Sequence, residues 1–246
     1  MTEPLRWQIA TVTDIRRETP NVSSFTFALP AWMPHLTGQH YDVRLTAADG
    51  YEAQRSYSIA SDPMRTGVIT LTVERIPNGE VSTYLHDVLV VGDRVELRGP
   101  IGGYFVWEPA MGGPLLLIAG GSGVVPLMSM LRERAGAGSH VPTALLSSSR
   151  RREDVIYRDE LAALTAADPS LRVVHTLTRE QPPGWTGFGR RIDGEMLAEI
   201  LPAVGTGARA FICGPTLLVE AAAQGVVDLG IPAAQVRTER FGPTGA

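Results

Sequence analysis

The apolar run Pro114-Leu115-Leu116-Leu117-Ile118-Ala119 leads straight into Gly120-Gly121-Ser122-Gly123, and Val125-Pro126-Leu127-Met128-Ser129-Met130-Leu131 follows. A short apolar stretch, a glycine turn and a helical segment are the parts of a strand-to-helix unit in a buried parallel sheet. Pro126 suits the first helical turn, where a missing N–H costs nothing. Such a turn lets backbone approach a diphosphate and aims the helix-start N–H groups at it. The spacing departs from Gly-x-Gly-x-x-Gly, because Pro126 stands where the last glycine would be. Alone, the turn fits a phosphate site and an ordinary connection equally.

The pattern on either side of this unit differs, which predicts a two-part chain. From Trp7 to about Trp107 the sequence is β-rich, with segments Trp7–Val12, Val22–Ala28, Gln39–Thr46 and Arg94–Leu97 separated by Pro, Gly, Asn and Asp turns. That reads as a small antiparallel β-barrel. Its one helix is expected to start at Ser82 as N-cap and to run through Val88. After the linker-like Glu108–Pro114, apolar strands alternate with helices, so a C-terminal α/β domain with a parallel sheet is expected. Its strands are Leu115–Ala119, Thr143–Ser147, Leu171–Leu177 and Arg209–Cys213; its helices lie near Pro126–Ala135, Glu153–Thr165, Gly194–Ile200 and Leu217–Leu229. The expected domains are 1–109 and 110–246.

Composition removes several function classes. Lysine is absent, so all 22 basic residues are arginine, and 26 acidic residues leave a formal charge of −4. Nucleic acid is not an expected partner. No apolar run reaches the length of a membrane span, and Met1–Arg6 lacks the layout of a secretory signal, so membrane insertion is not expected and a cytoplasmic location is. The single cysteine, Cys213, excludes an internal disulfide and a cluster held by four thiolates. His35, His40, His86, His140 and His175 are scattered without the pairing a metal site needs, and no Gly-x-Ser-x-Gly elbow is present. Neither a metal centre nor hydrolase chemistry is expected.

Two further segments carry chemistry. Arg55-Ser56-Tyr57-Ser58 offers a cation, an aromatic ring and hydroxyls within β-rich surroundings, and Cys213-Gly214-Pro215 ends the last expected strand. A guanidinium grips pyrophosphate bidentately, and a tyrosine lies against a flat heterocycle. On its own the tetrapeptide also reads as a plain strand with an outward Arg and a half-buried Tyr.

The order of these signals resembles the ferredoxin-NADP reductase family over nearly the whole chain. Arg55, Tyr57 and Ser58, then Gly79-Glu80-Val81-Ser82-Thr83, then Gly99, Pro100 and Gly102, the Gly120–Pro126 turn, Cys213-Gly214-Pro215 and Glu239-Arg240-Phe241 occur in family sequence. The resemblance implies FAD on the barrel, held by Arg55, Ser56, Tyr57, Ser58, Gly79, Val81, Ser82 and Thr83, with Phe241 over the flavin. It implies a nicotinamide dinucleotide at Gly120, Gly121, Ser122, Gly123, Pro126, Ser148, Arg150, Thr178, Arg179, Cys213, Gly214 and Pro215. It assigns Ser58 to the reactive flavin nitrogen, Cys213 to the border of the nicotinamide and Glu239 to proton exchange beside it. For Cys213 an apolar filler at the end of a buried strand is the plain alternative. Tyr104-Phe105 either flanks the flavin or serves as barrel-edge core.

The choice between NADPH and NADH rests on what meets the adenosine ribose. Ser147-Ser148-Ser149-Arg150-Arg151-Arg152 follows the second parallel strand with no acid at the turn, and Thr178-Arg179-Glu180-Gln181 follows the third. The latter resembles the Ser-Arg-Glu-Gln run that holds the 2′-phosphate in plant-type relatives. NADP(H) is therefore expected, with Arg150 and Arg179 as the cations, Arg158 a weaker candidate and NAD(H) the alternative. Expected acceptors are a separate ferredoxin or an oxygenase component. A diffusible quinone, free flavin or ferric chelate is the second enzymatic outcome, and a degenerate redox sensor or docking module the non-enzymatic one.

Overall fold

The computed structural model describes residues 5–241. Its first half is an antiparallel sheet of β1 (Gln8–Thr19), β2 (Val22–Ala28), β3 (His40–Thr46), β4 (Glu52–Ser58), β5 (Val68–Glu74) and β6 (Arg94–Ile101), in the order β4-β3-β6-β1-β2-β5. The side-chain alternation of extended chain puts Phe25, Phe27, Val43, Leu71, Val73 and Leu97 on one inner face, where they form the core of this half. The edge strands β4 and β5 converge beyond the end of β4: Ile59 bridges to Leu71, and Ala60 N–H donates to Thr70 O at 2.8 Å. The expected barrel is thus a curled sheet that no continuous ladder closes.

The single helix of this half, α1 (Glu80–Asp87), starts two residues before the expected cap. Gly79 is the N-cap, and Ser82 lies within the first turn. The reason is local: Ser82 Oγ accepts from Ile76 N–H at 3.2 Å, so the hydroxyl ties the helix to the preceding loop and does not cap it.

The second half is an all-parallel sheet, order β11-β10-β7-β8-β9. In chain order it comprises β7 (Leu115–Gly120), α2 (Val124–Gly136), β8 (Thr143–Ser149), α3 (Arg158–Ala167), β9 (Leu171–Leu177), α4 (Gly194–Ile200), β10 (Arg209–Pro215), α5 (Thr216–Asp228) and β11 (Val236–Phe241). Leu115, Leu117 and Leu145 face α2 and α3, where Leu127, Leu131 and Leu161 meet them. Leu116, Ile118, Leu146 and Ile212 face α4 and α5, against Met196, Ile200, Val219 and Ala222. Both faces are covered, which is why these strands read as continuous apolar runs.

Three details depart from the expected elements. A 3₁₀ turn at Gly121–Gly123 precedes α2, which begins at Val124, so Pro126 occupies its third position. The expected Glu153–Thr165 helix is broken: Arg152–Asp154 form a 3₁₀ turn, Tyr157 adopts φ 59°, and α3 starts only at Arg158. Burial explains the break, because Val155, Ile156 and Tyr157 all turn into the core and Tyr157 OH donates to Thr72 Oγ1 at 2.6 Å. The third departure is β11, which extends the sheet where only Glu239-Arg240-Phe241 had drawn notice.

The two halves meet through polar groups as well as apolar ones. Besides Tyr157 to Thr72, Ser129 Oγ donates to Ser61 O at 2.9 Å and Arg132 Nη1 to Ala60 O at 2.6 Å. These fix β5 and the β4–β5 loop against the α2 side of the parallel sheet. No helix among the described residues is long and apolar enough to cross a membrane.

Candidate active site

A cleft of about 620 Å³ runs along this junction. One wall comes from the curled sheet: Arg55–Ser58 on β4, Thr72 and Glu74 on β5, and Ile76–Ser82 leading into α1. The other comes from the parallel sheet: Ser122, Val125, Cys213 and Glu239–Phe241. Sequence segments as far apart as β4 and β11 therefore share one concavity at the C-terminal ends of the parallel strands, where ligands of open α/β sheets collect.

On the first wall, Tyr57 is half-buried against the barrel core, and burial pushes its hydroxyl up to about 12, with Arg55 pulling the other way. It remains a neutral phenol with its ring beside the cleft. Arg55 is exposed, its Nη1 donating to Gln54 O at 2.6 Å. Ser56 has another task. Its Oγ donates to Asp42 Oδ1 at 2.6 Å, while Arg98 Nη2 donates to Asp42 Oδ2 at 2.7 Å. Burial raises the Asp42 carboxyl, but these two bonds and the Arg98 charge outweigh that and hold it below the ordinary carboxylate range. The Ser56 hydroxyl thus pins edge strand β4 to β3 and β6, and holds Arg55–Ser58 along the cleft wall.

The first α1 hydrogen bond runs from Thr83 N–H to Gly79 O at 3.0 Å. The N–H groups of Glu80, Val81 and Ser82 have no partner within the helix and lie along the cleft wall, while Thr83 does not reach it. Three backbone donors beside one guanidinium match a pyrophosphate, since the helix dipole and the cation both favour negative charge there. A half-buried phenol ring, hydroxyls and this anion pocket in a cleft of such volume fit a flavin dinucleotide.

On the second wall, Gly121 has φ +55°, and a Cβ there would meet nothing within 4 Å, so its backbone faces open space. Gly123 answers a different need. A Cβ on Gly123 would overlap the Cys213 carbonyl, which lets the turn press against the end of β10. Gly120 and Gly214 face each other across the β7 and β10 ends, and Pro215 abuts Gly120. Pro126 is buried in α2. Ser122 remains at the cleft, its Oγ donating to Glu74 Oε2 at 2.9 Å.

Cys213 and Glu239 are register partners on β10 and β11. Cys213 is buried, and burial together with the neighbouring Glu239 pushes its thiol well above the usual range, so it is a thiol and not a thiolate. Burial also raises Glu239, whose Oε2 has no hydrogen-bond partner among the described residues. An orphaned buried carboxyl oxygen beside a thiol leaves hydrogen-bonding capacity open to a polar ligand atom. Phe241, paired with Pro215, lines the cleft and packs on the sheet core; Gly242–Ala246 lie outside the described residues.

The remaining expected residues lie at the β8 and β9 ends, outside the cleft lining. Ser148 is buried and in register with Gly120 and Thr176. Thr178 N–H donates to Ser149 O and Arg179 N–H to Arg150 O, both at 2.9 Å, so the segments carrying Arg150 and Arg179 are stitched together. Both arginines are exposed, and neither joins an ion pair among the described residues. Arg151 pairs with Glu153 and Glu180, and Arg158 with the exposed Asp159. Tyr104 is 57% exposed under Arg237, and Phe105 is buried edge-on against Phe211, so that pair does not line the cleft.

Sequence reasoning missed Thr72, Glu74, Asn78 and Val125 on the lining and Asp42 behind it, and gave Arg240 no role of its own. Thr72 and Glu74 carried a signal: two residues apart on one strand, they share a face, and that face is polar.

A curled antiparallel sheet joined to a parallel α/β sheet, with a shared cleft, defines a two-domain reductase fold for flavin and pyridine dinucleotides. The family model for the oxidoreductase FAD-binding domain matches residues 9–106, and that for the oxidoreductase NAD-binding domain matches 117–224. The chain belongs to the ferredoxin-NADP reductase family. It is 33% identical over 220 residues to NADH-cytochrome b5 reductase 1 of Aspergillus terreus, covering 85% of this chain and 73% of the relative. It is 32% identical over 235 residues to the glycine betaine monooxygenase reductase subunit of Chromohalobacter salexigens, covering 94% of this chain and 63% of the relative. Among solved structures, the Amycolatopsis cytochrome P450 reductase superposes with TM-score 0.85 at 28% identity, covering 99% of this chain and 72% of that one.

Proposed function

We propose that this flavin- and nicotinamide-dependent reductase takes hydride from NADPH onto FAD and passes electrons to a separate protein, an oxygenase component or a ferredoxin. Residues 1–109 are the flavin domain and 110–246 the dinucleotide domain in this reading. The observation that carries it is the single cleft that joins the Arg55–Ser58 strand and the α1 N-terminus to Ser122, Cys213, Glu239 and Phe241. FAD held by these residues would supply the chemistry of accepting two electrons as hydride and releasing them to an acceptor.

The protein's own contribution is positioning. Arg55 and the N–H groups of Glu80, Val81 and Ser82 hold the pyrophosphate; Tyr57 lies against the ring system; Ser58 hydrogen-bonds the reactive nitrogen. Cys213, an uncharged thiol, provides a small contact at the nicotinamide, and Glu239, its carboxyl raised by burial, supports proton exchange beside it. Phe241 occupies the space the nicotinamide needs and moves aside for turnover. Arg150 and Arg179, stitched together and in no ion pair among the described residues, support the choice of NADPH, since a 2′-phosphate completes both. The oxygenase-component reading is favoured by the bacterial relative named above, which is a monooxygenase reductase subunit.

The test is purification, a visible spectrum, identification of the released flavin, and steady-state turnover with NADPH and NADH. One FAD per chain and a lower Michaelis constant for NADPH are expected. A colourless protein that takes up no added FAD overturns the reading, and a preference for NADH overturns the assignment of Arg150 and Arg179.

A further inference from the structure

Glu74 stands at the end of β5 with its carboxylate on the cleft, and it belongs to none of the roles above. Its Oε2 accepts the Ser122 hydroxyl proton at 2.9 Å, the one donor that the glycine turn directs into the cleft from a side chain. Ser122 sits just ahead of α2, a helix of 13 residues whose N-cap, Gly123, carries no side-chain cap and whose first turn contains no acid. The positive end of α2 therefore lacks an anion from its own segment, and Glu74 brings one from the other sheet. Glu74 joins no ion pair among the described residues; its neighbour Arg75 is engaged with Asp87 at 2.7 Å. The end of β5 is fixed in place, because Thr72, two residues earlier, accepts from Tyr157 OH.

From this geometry we infer that Glu74 is a built-in competitor for the dinucleotide: its carboxylate occupies the Ser122 donor and the α2 N-terminus in the free protein and opposes the incoming phosphates. The inference rests on the reading of the cleft as the dinucleotide site. A ligand carrying negative charge to this turn must displace the Glu74 carboxylate from Ser122 and then remain near it. That like-charge contact weakens binding of oxidised and reduced dinucleotide alike, and it speeds product departure. The residue sets affinity for any ligand that carries negative charge to the turn, without distinguishing one dinucleotide from the other.

Glu74→Gln separates this role from that of a strut, since glutamine keeps an acceptor for Ser122 and loses only the charge. Calorimetric titration of oxidised, flavin-loaded protein with NADP⁺ and with NAD⁺ is the measurement. At low salt the variant is expected to bind both about fivefold more tightly, the scale of one unscreened unit charge a few ångströms away in a wet cleft, and the advantage closes as salt is raised. Ser122→Ala is expected to weaken binding with either residue at position 74. Unchanged or weaker binding by Glu74→Gln, or a gain independent of salt, overturns the inference. Loss of flavin or of melting temperature in that variant overturns it too, because Glu74 is then a strut. Failure of the unmodified holoprotein to bind either dinucleotide is a different result: it removes the reading of the cleft itself.

Discussion

Cys213 and Glu239 face each other across the parallel ladder of β10 and β11, a thiol and a carboxyl side by side, both raised in pKa by burial. The pairing places a carboxyl whose proton affinity is raised by burial on the lining of the cleft, beside a thiol. With its folded pKa raised, Glu239 stabilises the protein in its protonated form, an advantage complete at low pH and lost as pH rises through the folded value. Glu239→Gln keeps the neutral shape. It is expected to melt at or above the wild-type temperature at pH 8 while slowing flavin reduction by roughly 10- to 100-fold, the cost of imperfect positioning and proton supply. Reduction within twofold of wild type in a rapid-mixing experiment would remove Glu239 from the site.

Replacement of Arg179 by Ala is expected to raise the Michaelis constant for NADPH roughly 10- to 100-fold, the worth of a charge-assisted contact to phosphate, and to leave that for NADH within about twofold. Arg150→Ala should act in the same direction. Parallel rises for both donors would show that neither arginine meets a 2′-phosphate.

Gly121 and Gly123 differ in what they tolerate. Gly121→Ala meets open space and pays only the left-handed backbone cost of about 1–2 kcal/mol, so the variant is expected to fold. Gly123→Ala drives a methyl into the Cys213 carbonyl and stands 2.9 Å from Gly214 N, so it forces the turn off β10. A loss of about 1–3 kcal/mol or more and a collapse of dinucleotide binding are expected, read by chemical denaturation and titration.

Glu133 on α2 provides a pH signature away from the cleft. Burial, then the charges of Asp62 and Glu108, push its carboxyl up to about 7, and its Oε2 has no partner among the described residues. The protonated form is the one the fold favours, so its contribution is complete below the ordinary 4.5 and lost as pH rises through 7. Glu133→Gln is expected to gain roughly 2–4 °C in melting temperature at pH 8 and nothing at pH 4.5. An equal shift at both pH values would contradict this.

The sequence showed some of this arrangement and concealed the rest for physical reasons. The parallel strands were legible because both faces are buried, so Leu115–Ala119 has no polar interruption. The break before α3 was not, because it depends on Tyr157 reaching Thr72 across the domain junction, 85 residues away in sequence. Ser82 had the chemistry of an N-cap, yet a preceding loop claimed its hydroxyl. Strand β11 was overlooked because Val236–Phe241 is apolar only at its two ends and carries Arg237, Glu239 and Arg240 between them, as a sheet edge allows. The individual cleft residues Arg55, Tyr57, Ser122 and Cys213 were found, but the side-chain bonds that hold them, Ser56 to Asp42 and Ser122 to Glu74, join residues with no local pattern between them.

The most direct test of the central claim is anaerobic rapid mixing of the flavin-loaded protein with NADPH, and with NADPH deuterated at the transferred position. Loss of the flavin absorbance within a turnover time, slowed by deuterium, is the expected result. A flavin that stays oxidised, or one whose bleaching ignores the isotope and lags behind turnover, would contradict hydride transfer within this cleft.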